Sequence, residues 1–245
     1  MNPKISKSLV NKYNRDGFIH IKNFLKQAET IQLKNELFSE IERGKNKFKK
    51  RYINFTKNGS INSLHGLDKF DCIKKLQKDK RIIEAVEKII GKSYDKFGSE
   101  LFAKPAGTGL SVPIHQDNKY WCLSNSNAIT MWFALDKSNK RNGGIFYFKG
   151  SHKLGLFEHE PSNAPGSSQK VKHINGLEIF QKTLPSLELG DCLIHNCLVV
   201  HGSNRNFTKN SRSGLTLRFK HSLSRVREDL RKSYENELKL QMKNR

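Results

Sequence analysis

The amino-acid sequence predicts an α+β protein whose core is a double-stranded β-helix, a cupin-like jelly roll, flanked by N-terminal helices and a C-terminal helix. Three observations support this fold class. Apolar residues have mainly helical spacing over residues 1–95, short apolar runs separated by Gly, Pro, Asn and Ser fill residues 96–221, and helical spacing returns over residues 222–245. Helices, then many short strands, then a closing helix are typical of a jelly roll with helical flanks. We expect residues 1–245 to form one domain.

The N-terminal part is predicted to contain three helices and one strand. The spacing of apolar residues predicts helices over 3–15, 26–43 and 78–90, and residues 17–21 alternate as a strand does. Residues 44–66 are polar and basic and have no clear period, so we expect a loop or a lid there.

The predicted jelly-roll core has seven short strands bounded by turn residues. These strands cover residues 97–104, 112–122, 128–135, 144–149, 184–189, 192–200 and 213–221. Residues 155–175 lack strand signals and are expected to be flexible. A charged amphipathic segment over 224–240 predicts the closing helix.

The strong positive charge of the chain leaves three hypotheses open. Its 245 residues include 45 Lys and Arg against 23 Asp and Glu, which gives a net charge of +22. The excess could form a face for nucleic acid, a scattered solvated surface, or a basic site for an anionic small substrate. Four of these cations, Lys47, Lys49, Lys50 and Arg51, lie in the possible lid.

Simple sequence features also exclude some classes of protein. No run approaches 18 consecutive apolar residues, so we expect no membrane span. No apolar signal core follows the first residues, so we expect a cytoplasmic protein. We further expect a monomer or a homodimer. The four cysteines, which form no CxxC pair, are expected to be reduced and mostly buried.

The most informative motif is the histidine and aspartate pair in the predicted strand 112–122. Side chains two apart in a strand project from the same face, so His115 and Asp117 could offer a nitrogen and an oxygen to one metal. The best candidate for a second histidine is His201, at the end of a later apolar run. Two histidines and one carboxylate leave open positions on a metal, which suits non-haem Fe(II) and oxygen activation.

An arginine and a serine that follow the second histidine suggest that a cosubstrate with a carboxylate binds beside this metal. Arg212 follows His201 by eleven positions, in the adjoining predicted strand. Its guanidinium could hold a carboxylate in a bidentate manner, as a 2-oxo acid cosubstrate requires, and Ser203 could add a hydrogen bond. One exposed arginine among many is the alternative interpretation.

Other candidate metal ligands are weaker. Cys192, His195 and Cys197 precede His201, but side chains at 192 and 195, or at 192 and 197, point to opposite faces of a strand, so a zinc site is improbable. Four other histidines lie in predicted loops, and we expect them at the surface rather than at a metal. They are His65, His152, His159 and His173.

Several motifs in the same order resemble the phytanoyl-CoA dioxygenase family of Fe(II)- and 2-oxoglutarate-dependent oxygenases. The matching pieces are Lys104–Pro105, His115–Asp117, Trp132–Asp136, Asn142–Gly144, Gly150–Lys153, Leu189–Asp191, His201–Ser203 and Arg212. The opening segment Asp16–Phe24 also resembles the N-terminal strand of that family.

The resemblance implies a role for each matching residue. His115, Asp117 and His201 would bind Fe(II), and Arg212 with Ser203 would bind the distal carboxylate of 2-oxoglutarate.

Less specifically, the family pattern places Lys104 and Trp132 around the cosubstrate, and Asn118, Tyr120 and Trp121 on the substrate side, where ordinary packing is the alternative.

The implied reaction is hydroxylation of a small substrate with O2, releasing succinate and CO2. Halogenating relatives lack the carboxylate that Asp117 provides, so its presence favours hydroxylation. The net charge favours an anionic substrate such as a phosphonate, carboxylate, sugar acid or acyl-CoA. Two alternatives remain: a basic module that binds nucleic acid, although no reader motif is present, and a jelly roll that has lost its chemistry.

Overall fold

The computed structural model describes residues 5–44, 48–49, 52–164 and 167–243. Its helices are α1 (Lys7–Asp16), α2 (Gln27–Gly44), α3 (Asp71–Leu76), α4 (Lys80–Ile90), the single turn α5 (Asn118–Trp121) and α6 (Glu228–Lys243). Four of them precede the main run of strands and one follows it, in the order that the sequence predicts.

Thirteen strands are present in the described part of the chain. They are β1 (Phe18–Ile21), β2 (Ile53–Phe55), β3 (Ile61–His65), β4 (Tyr94–Lys104), β5 (Val112–His115), β6 (Ala128–Ala134), β7 (Ile145–Phe148), β8 (His159–Ala164), β9 (Ser167–Val171), β10 (Lys182–Thr183), β11 (Cys192–Asn196), β12 (His201–Ser203) and β13 (Arg212–His221). A seven-stranded sheet runs in the order β1-β11-β6-β13-β4-β3-β2, and a smaller sheet runs β10-β7-β12-β5. Strands β8 and β9 form a separate hairpin. All pairings within these sheets are antiparallel, as in a jelly roll.

The large sheet is buried on both faces, and the period of two along its strands decides what each face holds. On β6, Met131 and Phe133 pack outward against the helices, whereas Trp132 packs inward against the small sheet. Strand β11 lies beside β6 with His195 opposite Thr130. Alternation therefore directs both of these polar side chains into the space between the sheets, since each is two or four residues from an inward-facing neighbour.

The helices cover the outer face of the large sheet and form the main core with it. Leu37 and Ile41 of α2 and Ile82 and Val86 of α4 are buried in this core. Burial of each such side chain stabilises the fold by about 1.5–3 kcal/mol. Asp79 immediately precedes helix α4 and is its N-cap: its carboxylate accepts a hydrogen bond from the amide of residue 81, which fixes the start of the helix.

Most of the predicted elements are confirmed. Helices α1, α2, α4 and α6 and strands β1, β4, β6, β7 and β13 lie within a few residues of their predicted positions. The four cysteines are free and buried, as expected. In the described residues, no helix is both long enough and apolar enough to cross a membrane.

Two regions without predicted structure contain strands instead. Residues 44–66 include β2 and β3, which extend the large sheet beyond β4, and residues 155–175 include the β8–β9 hairpin. Residues 53–55 and 61–65 therefore do not form the loop or lid predicted there, whereas the flexibility expected of residues 155–175 stays a prediction. The hairpin gives no strand signal in the sequence because its strands are rich in polar residues. Of the four cations placed in the possible lid, Lys47, Lys50 and Arg51 lie outside the described residues.

Three predicted strands end early or do not form. The strand 112–122 stops at His115 and is followed by the helical turn α5, and the strand 192–200 is divided by a turn into β11 and β12. Over 184–189, a single bridge between Leu187 and Ser138 forms instead of a strand. Pro185 lacks the N–H that a strand at this position would donate.

Candidate metal centre and active-site cavity

The two histidines and the aspartate of the predicted metal site converge between the sheets. Strand β12 pairs with β5 so that His201 lies directly opposite His115, and the centres of their rings are 4.3 Å apart. The Nε2 atoms of both rings lie 3.7 Å from Oδ1 of Asp117. One potential ligand atom from each residue lies within 4.8 Å of the others, which is close enough to share one metal ion.

Asp117 reaches this position by a different route from the predicted one. It is not in an extended strand, because its backbone has helical angles, φ −57° and ψ −35°, at the start of α5. The side chain of Gln116 fixes this turn. Its amide group donates to the carbonyls of Leu198 (2.6 Å) and Gly155 (2.8 Å) and accepts from the amide of Phe157 (2.7 Å).

Backbone carbonyls orient both histidine rings for metal binding. Nδ1 of His115 lies 2.8 Å from the carbonyl of Pro113, and Nδ1 of His201 lies 3.0 Å from that of Val199. Each Nδ1 must donate its proton, which leaves the lone pair of Nε2 free for the metal. Burial and the neighbouring His115 lower the pKa of His201 to about 3, so this ring is neutral.

The second oxygen of the aspartate is held by neighbouring side chains. Thr130 donates to Oδ2 of Asp117 at 2.8 Å, and Nε2 of His195 lies 3.1 Å from the same atom. Nδ1 of His195 in turn lies 3.0 Å from the hydroxyl of Tyr147. Burial alone would raise the pKa of Asp117, but the neighbouring imidazoles of His115, His195 and His201 outweigh it and place the pKa well below its ordinary value. The carboxylate is therefore ionised, with Oδ1 directed to the metal position.

Two buried cations form a second feature of the site, called here the anion pocket. Arg212 at the start of β13 lies opposite Lys104 at the end of β4, and they are 2% and 4% exposed. Arg212 donates to the carbonyl of Gly143 and lies over the ring of Trp132, while Lys104 donates to the carbonyl of Leu110. Neither cation has a carboxylate partner among the described residues, and Nε of Arg212 has no hydrogen bond there.

Burial strongly perturbs both cations of the anion pocket. Burial and the charge of Arg212 lower the pKa of Lys104 to about 6, and burial lowers the pKa of Arg212 to about 10. Arg212 thus carries a buried charge that Asp136 offsets only in part, and such a charge destabilises a fold unless an anion binds it. Gly143 leaves room for the lysine: its φ is +82°, and a Cβ there would lie 2.6 Å from Cδ of Lys104.

The metal ligands and the anion pocket open into one cavity of about 560 Å³. Strands β4 and β13 form its floor, because alternate residues of both strands line it. On β13, Arg212 and Arg218 mark the two ends of this floor, and six residues at roughly 3.3 Å each separate them by roughly 20 Å. The wall opposite the floor includes the β8–β9 hairpin and helix α6, through Ser167, Ser168, Tyr234, Leu238 and Gln241.

The end of the floor that is remote from the anion pocket carries an ion pair and a histidine. Oε1 of Glu100 lies 2.7 Å from Nδ1 of His65 and 3.3 Å from Nη2 of Arg218. Burial alone would raise the pKa of Glu100, but Arg218 and His65 outweigh it, so the pKa lies below its ordinary value and the carboxyl is ionised. We call Glu100, His65 and Arg218, with the amide of Asn62, the distal cluster.

The structure places the other predicted site residues as follows. Ser203 and Trp132 line the cavity with Arg212, and Tyr120 and Trp121 line it on the side of α5. Asn118 does not line it. Its side chain instead donates to the carbonyl and accepts from the amide of Leu123, which agrees with the alternative of ordinary packing.

Some residues of the site are not recognisable in the sequence. Two of the histidines expected at the surface are partly or fully buried: His65 lines the cavity, and His159 accepts a hydrogen bond from the amide of Gln116. Thr130 and Glu100 occur in ordinary strand patterns and carry no motif. Only the pairing of β3 with β4, which sets His65 opposite Glu100, brings the distal cluster together.

The fold and these three side chains together define a jelly-roll protein with two histidines and one carboxylate placed as candidate ligands of one metal. The family model described as phytanoyl-CoA dioxygenase (PhyH) matches residues 13–214. The chain belongs to this family, as the order of its motifs predicts.

Individual relatives are distant. The chain is 26% identical to the peroxisomal phytanoyl-CoA dioxygenase of Bos taurus over 228 residues, covering 84% of this chain and 66% of that protein. It is 25% identical to a probable alpha-ketoglutarate-dependent hypophosphite dioxygenase of Stutzerimonas stutzeri, covering 56% of this chain and 49% of that protein. The chain thus spans about two thirds or less of the length of these relatives.

A solved structure confirms the fold. The crystal structure of EctD from S. alaskensis with 2-oxoglutarate and 5-hydroxyectoine superposes with a TM-score of 0.77 at 20% identity. The superposition covers 92% of this chain and 79% of EctD.

Proposed function

We propose that this chain is an Fe(II)- and 2-oxoglutarate-dependent dioxygenase that hydroxylates a C–H bond of a small molecule. The observation that carries the proposal is the presence, in one cavity, of three metal ligands and two buried cations without a carboxylate partner among the described residues. A dicarboxylate that binds the metal with one end and the anion pocket with the other meets both requirements.

The side chains present fit Fe(II). Two imidazoles and one carboxylate, converging from one side, are the donor set of non-haem Fe(II) oxygenases. When bound there, iron with 2-oxoglutarate and O2 supplies the oxidising power for hydroxylation and releases succinate and CO2. The protein presents Nε2 of His115 and His201 in the required tautomer and keeps Oδ1 of Asp117 available, since Thr130 and His195 hold the other oxygen.

The anion pocket fits the distal carboxylate of 2-oxoglutarate. Nε of Arg212 is buried and lacks a hydrogen bond, so the guanidinium retains donor capacity for a carboxylate. The side chains of Lys104 and Ser203 line the same part of the cavity. A carboxylate bound here would neutralise the charge that burial disfavours, which favours a cosubstrate with a fixed anionic end.

The substrate is proposed to be a small molecule, because the cavity of about 560 Å³ must also contain the cosubstrate. Relatives are named for three chemically different substrates, phytanoyl-CoA, hypophosphite and ectoine, so family membership does not select one. The expectation of an anionic substrate rests on the net charge and stays a prediction.

Anaerobic titration of the protein with Fe(II) and 2-oxoglutarate tests the proposal. We expect the weak visible charge-transfer band of the metal–keto-acid chelate in the wild type and its loss in His115→Ala. His173→Ala, which removes an exposed histidine from a loop, is the matched control and should retain the band. A folded wild type without the band would contradict the oxygenase proposal and bring forward the basic-surface alternative, which salt-dependent duplex binding would then test.

A further inference from the structure

The distal cluster has unused hydrogen-bonding capacity that faces the cavity. Both of its ion-pair contacts, from His65 and Arg218, are made to Oε1 of Glu100. Within the described residues, Oε2 of Glu100 accepts no hydrogen bond, and the amide of Asn62 makes none. Since both side chains line the cavity, these groups are available to a ligand.

The hydrogen bonds around His65 leave the carboxylate of Glu100 able to accept a further hydrogen bond but not to donate one. The amide of Asn54 donates to Oγ of Ser63 at 2.9 Å, and Oγ of Ser63 lies 3.4 Å from Nε2 of His65. If Nε2 of His65 accepts from this hydroxyl, Nδ1 donates to Glu100, so all the hydrogen bonds from Asn54 to Glu100 run in one direction. A ligand that meets Glu100 must therefore bring a donor.

The arginine of the cluster is fixed in place and forms an ion pair with Glu100 through Nη2. Its Nε has no hydrogen bond among the described residues and is buried against Gly98 rather than open to the cavity. Its guanidinium lies over the rings of Phe97 and Trp121, with Cζ 5.3 and 5.6 Å from their centres. It also lies against Gly98, where a Cβ would come within 2.1 Å of Nη2. These contacts keep the guanidinium group of Arg218 beside Oε1 of Glu100.

The cavity does not share the excess positive charge of the chain. Among its described lining residues, the cations are Lys104, Arg212 and Arg218, and the carboxylates are Glu100 and Asp117. Lys104 and Arg212 belong to the anion pocket, and Asp117 belongs to the metal. What remains for the substrate is one ion pair, of zero net charge, with an open carboxylate oxygen.

From this arrangement we infer that the substrate carries no net negative charge and presents an N–H or O–H donor to Oε2 of Glu100, with Asn62 as a second polar contact. The inference rests on the proposed function, because it assigns the anion pocket to 2-oxoglutarate. Neutral or zwitterionic polar molecules meet these requirements, whereas phosphonates, sugar acids and acyl-CoA esters place an anion against a carboxylate.

Three planar probes of the same shape test the inference: benzamide, benzamidinium and benzoate. Their binding is measured by anaerobic calorimetry on protein saturated with Fe(II) and 2-oxoglutarate, whose charge-transfer band is recorded first. We expect benzamide and benzamidinium to bind at least about tenfold more tightly than benzoate, because a charge-assisted hydrogen bond forms only with the donors.

Two variants separate recognition from packing. Glu100→Gln leaves Arg218 without its carboxylate and should improve benzoate binding by at least about tenfold, while Arg218→Met should improve benzamidinium binding instead. If one variant fails to fold, the other still tests whether removing one charge of the ion pair improves binding of the probe that has the same charge. Retention of the charge-transfer band in both shows that the metal and cosubstrate site is intact.

The outcomes are distinguishable from failure of the proposed function. Absence of the band in the wild type contradicts the oxygenase proposal itself. If the band forms, equal or tighter binding of benzoate in the wild type, no binding of any probe, or an unchanged order of affinities in Glu100→Gln overturns the inference and leaves the proposed function standing.

Discussion

Replacement of Arg212 by Met tests the anion pocket most directly, because it should affect affinity and stability in opposite ways. Arg212 is buried, donates to the carbonyl of Gly143 and has no carboxylate partner among the described residues. If it holds 2-oxoglutarate with two charge-assisted hydrogen bonds of about 1.5–3 kcal/mol each, its loss costs at least about 3 kcal/mol. The affinity for 2-oxoglutarate should then fall by roughly a hundredfold or more.

The stability of the ligand-free protein should be unchanged or higher in Arg212→Met. Loss of the hydrogen bond to Gly143 costs about 1 kcal/mol, whereas removal of an uncompensated buried charge recovers a desolvation penalty of several kcal/mol. With 2-oxoglutarate at 100 times the wild-type Kd, ligand binding should stabilise the wild type by about 2.7 kcal/mol and the variant by about 0.4 kcal/mol. These values correspond to increases in Tm of about 5–11 °C and about 1–2 °C.

Thermal unfolding of the anaerobic Fe(II) protein, with and without 2-oxoglutarate, measures both quantities. Arg205→Met, which removes an exposed arginine from the loop before β13, is the matched control and should respond to 2-oxoglutarate as the wild type does. The reasoning is refuted if Arg212→Met retains the full ligand-induced increase in Tm. A fall of several degrees in the ligand-free Tm would also contradict it, since the arginine would then be a stabilising residue.

Three further predictions concern the surroundings of the metal and the anion pocket. Thr130→Val removes the hydrogen bond to Oδ2 of Asp117 at nearly constant volume, and the affinity for Co(II), followed by its visible spectrum, should fall about 10–100-fold; unchanged affinity would show that the hydroxyl does not position the ligand. Because burial lowers the pKa of Lys104 to about 6, its amine is neutral at pH 8 in the free protein, and anion binding should raise the pKa. Binding of 2-oxoglutarate at pH 8 should therefore take up close to one proton, as measured by calorimetry in buffers of different ionisation enthalpy, and Lys104→Met should abolish this uptake; equal uptake in the variant would assign the proton elsewhere. In Gly214→Ala the new Cβ would lie 1.8 Å from the ring of Trp132, so overpacking should cost about 1–3 kcal/mol and lower the Tm by about 2–12 °C, whereas an unchanged Tm would mean that the ring moves freely.

The convergence of the three candidate metal ligands could be predicted because metal chemistry restricts residue type and order more than it restricts secondary structure. The alternation argument for His115 and Asp117 assumes a strand that in fact ends at His115. The pair still converges, since a helical turn held by Gln116 returns the carboxylate of Asp117 to the two histidine rings. A motif thus survives an error in the element that carries it.

The substrate side could not be predicted, because it depends on the pairing of strands whose sequences lack apolar alternation. In the β8–β9 hairpin, the buried side chains include Ser162, Ser167 and Gln169, which a pattern of burial predicts to be exposed. His65 and Glu100 are 35 residues apart, and only the register of β3 on β4 makes them neighbours. Long-range pairing of polar strands leaves no local signal in a single sequence.

Helix α6 lies beyond residue 214, where the match to the family ends, yet it forms part of the cavity wall. It is attached to the β8–β9 hairpin by Gln241, which donates to the carbonyls of Ser162 and Ser168. All three metal ligands and the anion pocket lie before this helix in the chain. One wall of the cavity and the candidate metal ligands thus lie in separate segments of the chain, so a substitution in the terminal helix changes the shape of the cavity without touching a residue that would hold the metal.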